Sequence, residues 1–413
     1  MSRMKNRILI IINDYAKITG GQDSSAFQDF LLLKGFYPSI KLVTGVGPID
    51  NSLRNVSPDD HICLHGTDIA NEKNKSWSFI NGLFNLNALF LLLKVSDLYK
   101  KRTIIFHFHS FTKYFSPLVP WFLLIMGFKV VFTINDYFLN CPNGALFNFK
   151  SNKICKLSPL SFKCFLSNCD SRSYYYKLWR FLRSIIFFNS FFGINRFAFN
   201  YVFVSAFSKK VFIDNSKGSR LRKIKSIILP NPTNITSHQR VQAESNQTFL
   251  FVGRLVESKG VFLFAESIIR IGARGLIIGD GPAFTLLKKN YPQITFAGWR
   301  DILFIRESLL TARSLIFPSL WYEAQPLVPN EALALGIPVV TSNVNATAEL
   351  VVNNVNGMHF DINVLNDLDR CINSLSDDEF VKRLSINAFK MFQESDLNPT
   401  KRATMYADFY NSL

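Results

Sequence analysis

WYEAQPLVPNEALALGIPVV, residues Trp321 to Val340, sets two carboxylates, Glu323 and Glu331, around a stretch with almost no other polarity. Proline is favoured at the first helical position and glycine just past the last, so Pro329 and Gly336 predict a short helix between them. Ile337 to Thr341 reads as a buried strand, and residues 312–317 (ARSLIF) as the strand before. Strand, loop, helix, strand is the unit of a parallel α/β sheet. Glu331 then falls in the first turn, where free backbone N–H groups and the positive helix end suit an anion. Taken alone, Glu331 reads equally well as a glutamate matched to the helix dipole, and Glu323 as a solvated loop residue.

Working outward, 413 residues at 48% hydrophobic exceed one ordinary core and predict two domains. Residues 114–128 (YFSPLVPWFLLIMGF) are short and hold two prolines, and Ser76–Leu93 carries Asn81, Asn85 and Asn87. Both read as buried elements rather than membrane spans. The start, MSRMKNRILIIIN, reads as a first strand rather than a signal peptide. Charge is uneven. Residues 1–235 hold 31 Lys+Arg against 12 Asp+Glu, or +19, and residues 236–413 hold 16 against 18, or −2. A half this basic predicts an anionic partner, a phospholipid surface or phosphorylated lipid. A nucleic-acid partner has the charge but no binding motif. In residues 171–197 (SRSYYYKLWRFLRSIIFFNSFFGINRF) cations and aromatics alternate at helical spacing, which fits a helix lying in a membrane interface; an ordinary helix packed on its own domain has the same pattern.

Four of the six cysteines, Cys141, Cys155, Cys164 and Cys169, fall within 29 residues. They could hold a structural zinc ion, but no spacing is Cys-x2-Cys, and free buried thiols are the alternative. Strands are predicted at 7–13, 104–109, 129–134 and 201–205, and Gly20-Gly21 lies where a βα loop lets backbone approach a phosphate or sugar. The polar, proline-containing stretch 228–247 coincides with the charge shift and predicts the domain boundary. A second α/β unit begins at Phe249, with Gly253-Arg254 at the strand exit and Lys259-Gly260 leading into a helix. Met405, Tyr406, Phe409, Tyr410 and Leu413 share one face of a last helix that must dock.

Arg254, Lys259, Glu323 and Glu331 thus all sit at strand-to-helix exits, on one edge of one sheet. Two cations suit a diphosphate, and a carboxylate suits paired ribose hydroxyls. The cations would take the charge of a departing nucleoside diphosphate without a metal. FVGRLVESKGV, GDGP, PSLWYEAQPLVPNEALALGIPVVTSN and ELVVNNVNG resemble the donor domain of family-4 retaining glycosyltransferases of the GT-B fold. Their E-x7-E motif is matched by Glu323 and Glu331, and their Arg…Lys diphosphate clamp by Arg254 and Lys259. TGGQ is similar to the family's N-terminal Gly-Gly loop, and NDYFLNCPNG to a bacterial surface-polysaccharide subgroup.

The resemblance implies two Rossmann-like domains facing an interdomain cleft: an acceptor and membrane-facing domain, 1–235; a donor domain, 236–395; and a helix, 396–413, crossing back. It places Arg254, Lys259, Glu331, Leu327, Val328 and Gly253 on the donor, Gly20 and Gly21 on a phosphate or acceptor loop, and Glu323, Asn135, Asp136 and His109 at the chemistry. Where the family has Thr-x-His-Asp, this chain reads Thr133-Ile134-Asn135-Asp136; asparagine hydrogen-bonds but cannot titrate. His107 and His109 lie on a nearby strand end, as core histidines or as a group reaching the cleft. The implied protein is a cytoplasmic, inner-membrane-peripheral enzyme needing no metal or cofactor, with a nucleotide-sugar donor and a lipid-linked or lipopolysaccharide-type glycan acceptor. A non-catalytic GT-B scaffold and a nucleotide-sugar epimerase are the rivals. A nicotinamide enzyme is disfavoured because Gly-x-Gly-x-x-Gly is absent.

Overall fold

The structure, a computed structural model, describes residues 7–37, 39–96, 103–188, 198–216, 224–233, 239–395 and 399–413. In the first half β1 (Ile8–Tyr15), β2 (Ile40–Val46), β3 (His61–Gly66), β4 (Ile104–Phe108) and β5 (Lys129–Ile134) are followed by a two-residue-per-strand ribbon, β6 (Phe147–Asn148) and β7 (Lys153–Ile154). β8 (Asn200–Phe203) and β9 (Ser226–Ile228) complete it. The second half holds β10 (Thr248–Val252), β11 (Arg274–Ile278), β12 (Thr295–Gly298), β13 (Ala312–Phe317), β14 (Val339–Ser342) and β15 (Gly357–Phe360). Among the described residues all pairings within the two large sheets are parallel, and only the β6–β7 ribbon is antiparallel.

The first sheet runs β3-β2-β1-β4-β5-β8-β9 and the second β12-β11-β10-β13-β14-β15. In each, the order reverses next to the first strand, and such reversals leave a crevice at the carboxyl ends of the strands. β1 shows why these strands are apolar throughout: Ile8, Ile10 and Ile12 enter one core, Leu9 and Ile11 another, so both faces are covered. The chain end supplies part of that cover. Helix Pro399–Ser412 belongs to the second half by sequence, yet Ala403, Tyr406, Ala407, Phe409 and Tyr410 pack on the first sheet with Leu9, Ile11 and Val131. Arg402 fastens it, donating through Nε and Nη2 to the two oxygens of buried Asp29 at 2.7 Å each.

Three expectations are corrected. The helix in the quoted stretch runs Leu327–Ala334 with Pro326 at its N-cap, not from Pro329. Pro329 is its third residue, tolerated because the first four N–H groups of a helix have no partner inside it. Glu331 is therefore the fifth residue, beyond the first turn. Gly336 does follow the helix, at φ +77°.

The basic aromatic helix is Tyr174–Phe188, and residues 189–197 lie outside the described residues. Its cations turn inward rather than toward a membrane. Lys177 is fully buried and donates to the carbonyls of Cys164 and Phe165, and Arg183 donates to those of Thr112 and Phe115. Arg180 pairs with Asp170 at 2.8 Å.

Ser76–Leu93, expected to be buried, is instead two helices, Lys75–Leu83 and Leu86–Ser96, bent by 48°. They expose Trp77, Phe79, Ile80, Phe84, Leu86 and Phe90. Among the described residues no single helix is long and apolar enough to cross a membrane, while this bent pair passes on length and composition together.

Candidate active site

The donor-side constellation is assembled by a close backbone approach. After β10 a single turn, Glu257–Lys259, ends at Gly260 with φ +71°. A Cβ there would lie 2.0 Å from the Pro318 carbonyl oxygen, so only glycine lets this turn lie against the β13 exit. Ser258 O then accepts from Leu320 N at 2.9 Å, and Lys259 meets the loop that follows β13. Lys259 Nζ donates to Glu323 Oε1, which also accepts from Trp321 Nε1 and, at 2.8 Å, from Ser319 Oγ. The same ammonium stands 5.2 Å from the Trp321 ring centroid. The two residues expected to divide diphosphate and sugar between them are one ion pair.

Arg254 is exposed and makes no ion pair among the described residues. A Cβ on Gly253 would make ordinary contact with the Phe251 ring at 3.8 Å. Glu331 is buried and accepts no hydrogen bond among the described residues. Burial pushes its carboxyl up to about 7, against the opposing charge of Arg306. A buried carboxylate with open acceptor positions is chemically suited to a pair of hydroxyls. Next to it Asn330 is fully buried, and both polar atoms of its side chain lack partners. Neither Arg306 nor Asn330 has a motif by which sequence could single it out.

From the first sheet, Gly20 caps helix Gly21–Lys34 in extended conformation, φ −175°, with empty space beyond its Cα. A Cβ on Gly21 would lie 3.5 Å from Leu327 Cδ1. The first turns of two helices, one from each sheet, thus meet, and Leu327 and Val328 hold free backbone N–H groups at that point. Asn135 and Asp136 follow β5. Asn135 Nδ2 is buried without a partner, while its Oδ1 accepts from Asn231 Nδ2 at 3.4 Å. Asn231 is a clasp the sequence reading missed: Ser25 Oγ donates to its side chain at 2.6 Å, and its backbone N–H donates to Gln325 of the donor loop. It lies in Pro-Asn-Pro, read only as a hinge. Asp136 accepts from Phe138 N at 3.0 Å, and burial pushes its carboxyl up to about 6.

The two histidines separate. His107 is a satisfied core residue, bonded to Thr133 Oγ1 at 2.7 Å and the Tyr410 hydroxyl at 2.6 Å. His109 lines a narrow cavity with Gln22 and Asp136. Its ring is buried and finds no hydrogen-bond partner, with Asp29 Oδ2 at 3.8 Å. Burial lowers it to about 4, so it is neutral near pH 7. Its carbonyl accepts from Gln22 Nε2 at 2.5 Å. The ring thus stands between that cavity and Asp29 beneath the last helix, buried and without a hydrogen bond.

The six cysteines are free thiols. Among the described residues no three His, Cys, Asp or Glu side chains stand close enough to hold one metal ion, so of the two readings of the cysteines the structure has free thiols rather than a zinc cluster. Cys141 and Cys169 are instead bridged by Asn143, which accepts from the first at 3.1 Å and donates to the second at 3.4 Å.

Two parallel sheets reversing order at facing carboxyl edges, with a last helix returning to the first, define the GT-B fold. Solved structures agree. Anabaena HepE in complex with UDP and glucose superposes with TM-score 0.67 at 15% identity, covering 98% of this chain and all of that one (100%). WaaG, a glycosyltransferase involved in lipopolysaccharide biosynthesis, gives 0.62 at 14% identity over 96% of this chain and 99% of its own. Residues 246–378, the segment holding the Lys259–Glu323 pair and Glu331, match the family model of glycosyl transferases, group 1. The Escherichia coli UDP-Gal:α-D-GlcNAc-diphosphoundecaprenol α-1,3-galactosyltransferase is 32% identical over 179 residues, 39% of this chain and 44% of the relative. The putative teichuronic acid biosynthesis glycosyltransferase TuaC of Bacillus subtilis is 35% identical over 103 residues, 24% and 26%. The chain thus spans less than half the length of these curated relatives.

Proposed function

We propose that the protein is a retaining glycosyltransferase of the family-4 type, moving one sugar from a nucleotide donor to a lipid-linked or lipopolysaccharide-type glycan. The observation that carries this reading is the cleft itself: the Lys259–Glu323 pair and the unpaired Glu331 carboxylate on one side, and the open Gly20 loop and unpaired Asn135 amide on the other. The donor's diphosphate lies on Arg254 and Lys259 and its ribose on Glu331, with the sugar between Glu323 and Asn135. The bond from the sugar's anomeric carbon to the diphosphate oxygen breaks, and a bond to the acceptor oxygen forms on the same face. The acceptor's proton passes to the departing phosphate oxygen. Lys259 and Arg254 stabilise the charge that develops there, so the step needs no metal. The named relatives that act on a diphosphoundecaprenol-linked sugar or in lipopolysaccharide biosynthesis support the acceptor class.

A peripheral membrane seat belongs to the same reading, on a surface the sequence did not indicate. The bent helix pair exposes six large apolar side chains and is flanked by exposed Lys73, Lys75 and Lys94. An apolar patch rimmed by cations suits an anionic bilayer surface.

The test is calorimetric binding of UDP, GDP, ADP and dTDP without metal, repeated on Glu331→Ala. Tight binding of one member, weakened in the variant by about 1–3 kcal/mol, is the expected result. No binding by any member overturns the donor site. Nucleotide binding without transfer favours a scaffold, and conversion of the nucleotide sugar with no acceptor present favours an epimerase.

A further inference from the structure

A second pocket opens beside the cleft, between helix Tyr174–Phe188 and the loop after β4. Thr112 lines it and also lines the cavity holding Gln22, His109 and Asp136, so the two lie side by side. Its walls include Lys113, Asp68, Tyr176, Trp179 and Arg180. Arg172 and Arg180 stand over the Tyr176 ring at 4.6 and 4.9 Å from its centroid. Arg180 is matched by Asp170, and Arg183 gives its hydrogen bonds to carbonyls. Lys113 and Arg172 are different: neither side chain has a carboxylate at ion-pair distance among the described residues. Asp68, which lines the same pocket, is occupied by the Tyr15 hydroxyl at 2.5 Å and by Ala70 N at 2.8 Å. Burial lowers the proton affinity of Lys113; Asp68 and Asp14 oppose the shift, and the neighbouring charges of Arg172 and Arg180 add to it. Lys113, half-buried in the pocket wall, and Arg172, exposed at its edge over Tyr176, together suit a multiply charged anion.

The rim of the pocket is apolar. A Cβ on Gly82 would come within 2.3 Å of Trp179 Cζ2, so the glycine lets helix Lys75–Leu83 close directly on Trp179. That helix belongs to the exposed patch bearing Trp77, Ile80 and Phe84. Cations inside, an indole at the lip and exposed hydrocarbon beyond form one continuous surface.

We propose that this pocket seats the diphosphate of a lipid-diphosphate-linked acceptor, held by Lys113 and Arg172, with the lipid leaving over Trp179 along the exposed helix pair. This rests on the glycosyltransferase reading above and selects, from its two acceptor types, the diphosphate-linked one. The sugar on that diphosphate then points past Thr112 to Asp136 and the donor.

The test is calorimetric binding of octyl diphosphate, which carries the two phosphates and a short tail but no sugar. The full chain is first saturated with whichever of the four nucleoside diphosphates binds, so that Arg254 and Lys259 are occupied. Lys113→Gln and Arg172→Gln are each expected to weaken octyl diphosphate at least tenfold, Lys113→Arg to retain it, and octyl β-glucoside to bind none of them. Unchanged nucleotide affinity in all three variants shows that the fold is intact. Unchanged octyl diphosphate binding in Lys113→Gln and Arg172→Gln overturns the proposal, as does binding abolished instead by Lys259→Gln. Sedimentation with phosphatidylglycerol vesicles separates the other source of phosphate. If Lys113→Gln loses the vesicles but keeps octyl diphosphate, the cations serve lipid headgroups and the proposal falls. A protein that binds no nucleoside diphosphate but binds octyl diphosphate through Lys113 upholds this seat and overturns the donor reading instead.

Discussion

Lys259 and Glu323, 64 residues apart, are joined by an ion pair at the exits of two adjacent strands, β10 and β13. Neither charge is idle: the carboxylate holds the ammonium in place and neutralises it. A diphosphate entering this cleft competes with Glu323 for the same donor.

The competition predicts opposite effects for two isosteric changes. Lys259→Gln removes a charge-assisted hydrogen bond to the diphosphate and should weaken nucleoside diphosphate binding by about 1.5–3 kcal/mol. Glu323→Gln frees the ammonium, so it should leave binding equal or tighter while transfer falls. Calorimetry on the two variants decides it: equal weakening by both would mean that Glu323 binds the nucleotide rather than competing with it.

Glu331 predicts a pH dependence. Its carboxyl stands at about 7 rather than the usual 4.5, so the folded protein gives up stability as pH rises between these values. The ionised form is the better acceptor for ribose hydroxyls, so nucleotide affinity should fall as pH drops from 8 to 6. Glu331→Gln should lack that component. The difference between the two proteins cancels the titration of the phosphate itself. Parallel pH profiles would remove Glu331 from the ribose.

Asp29 and Arg402 predict the strength of the helix that crosses back. Both are buried, and the Tyr406 hydroxyl adds a bond to Asp29 Oδ2 at 2.6 Å. Removing one partner leaves an uncompensated buried charge, which costs about 3–5 kcal/mol. Arg402→Met should lower stability by that order in denaturant unfolding, and Asp29→Asn with Arg402→Met should recover part of it. An additive double variant would show that the pair is not coupled.

The second half was the more legible because its motifs are local. Gly260, Glu323 and Gly336 act through turn geometry and short spacings, which a single stretch displays. The first half misled because helical periodicity reports which residues share a face and not which face is inside. In Tyr174–Phe188 the cations face carbonyls and an aspartate of their own domain, while the exposed apolar surface belongs to a pair of helices whose asparagines made them read as buried. The helix at Leu327 was entered two residues late because a proline at its third position gives the same signal as one at its first. Asn231 and Arg306 were invisible for another reason: each acts on neighbours far away in sequence.

His109 supplies the last prediction. Burial lowers its ring to about 4 from 6.5, with Arg402 acting the same way and Asp29 opposing. The fold therefore favours the neutral ring. Its contribution to stability is complete above pH 6.5 and is lost as pH falls toward 4, because the unfolded chain takes up the proton first. At 1.36 kcal/mol per pKa unit the loss approaches about 3 kcal/mol. His109→Asn should be less stable at pH 7.5 yet lose less on going to pH 4.5, measured by denaturant unfolding of both proteins at each pH. A neutral ring also cannot lend positive charge to a leaving phosphate, so transfer by wild type should show no inflection near 6.5 that the variant lacks. An acid slope identical in the two proteins would mean that the ring is protonated in the fold, returning His109 to the chemistry of the cleft.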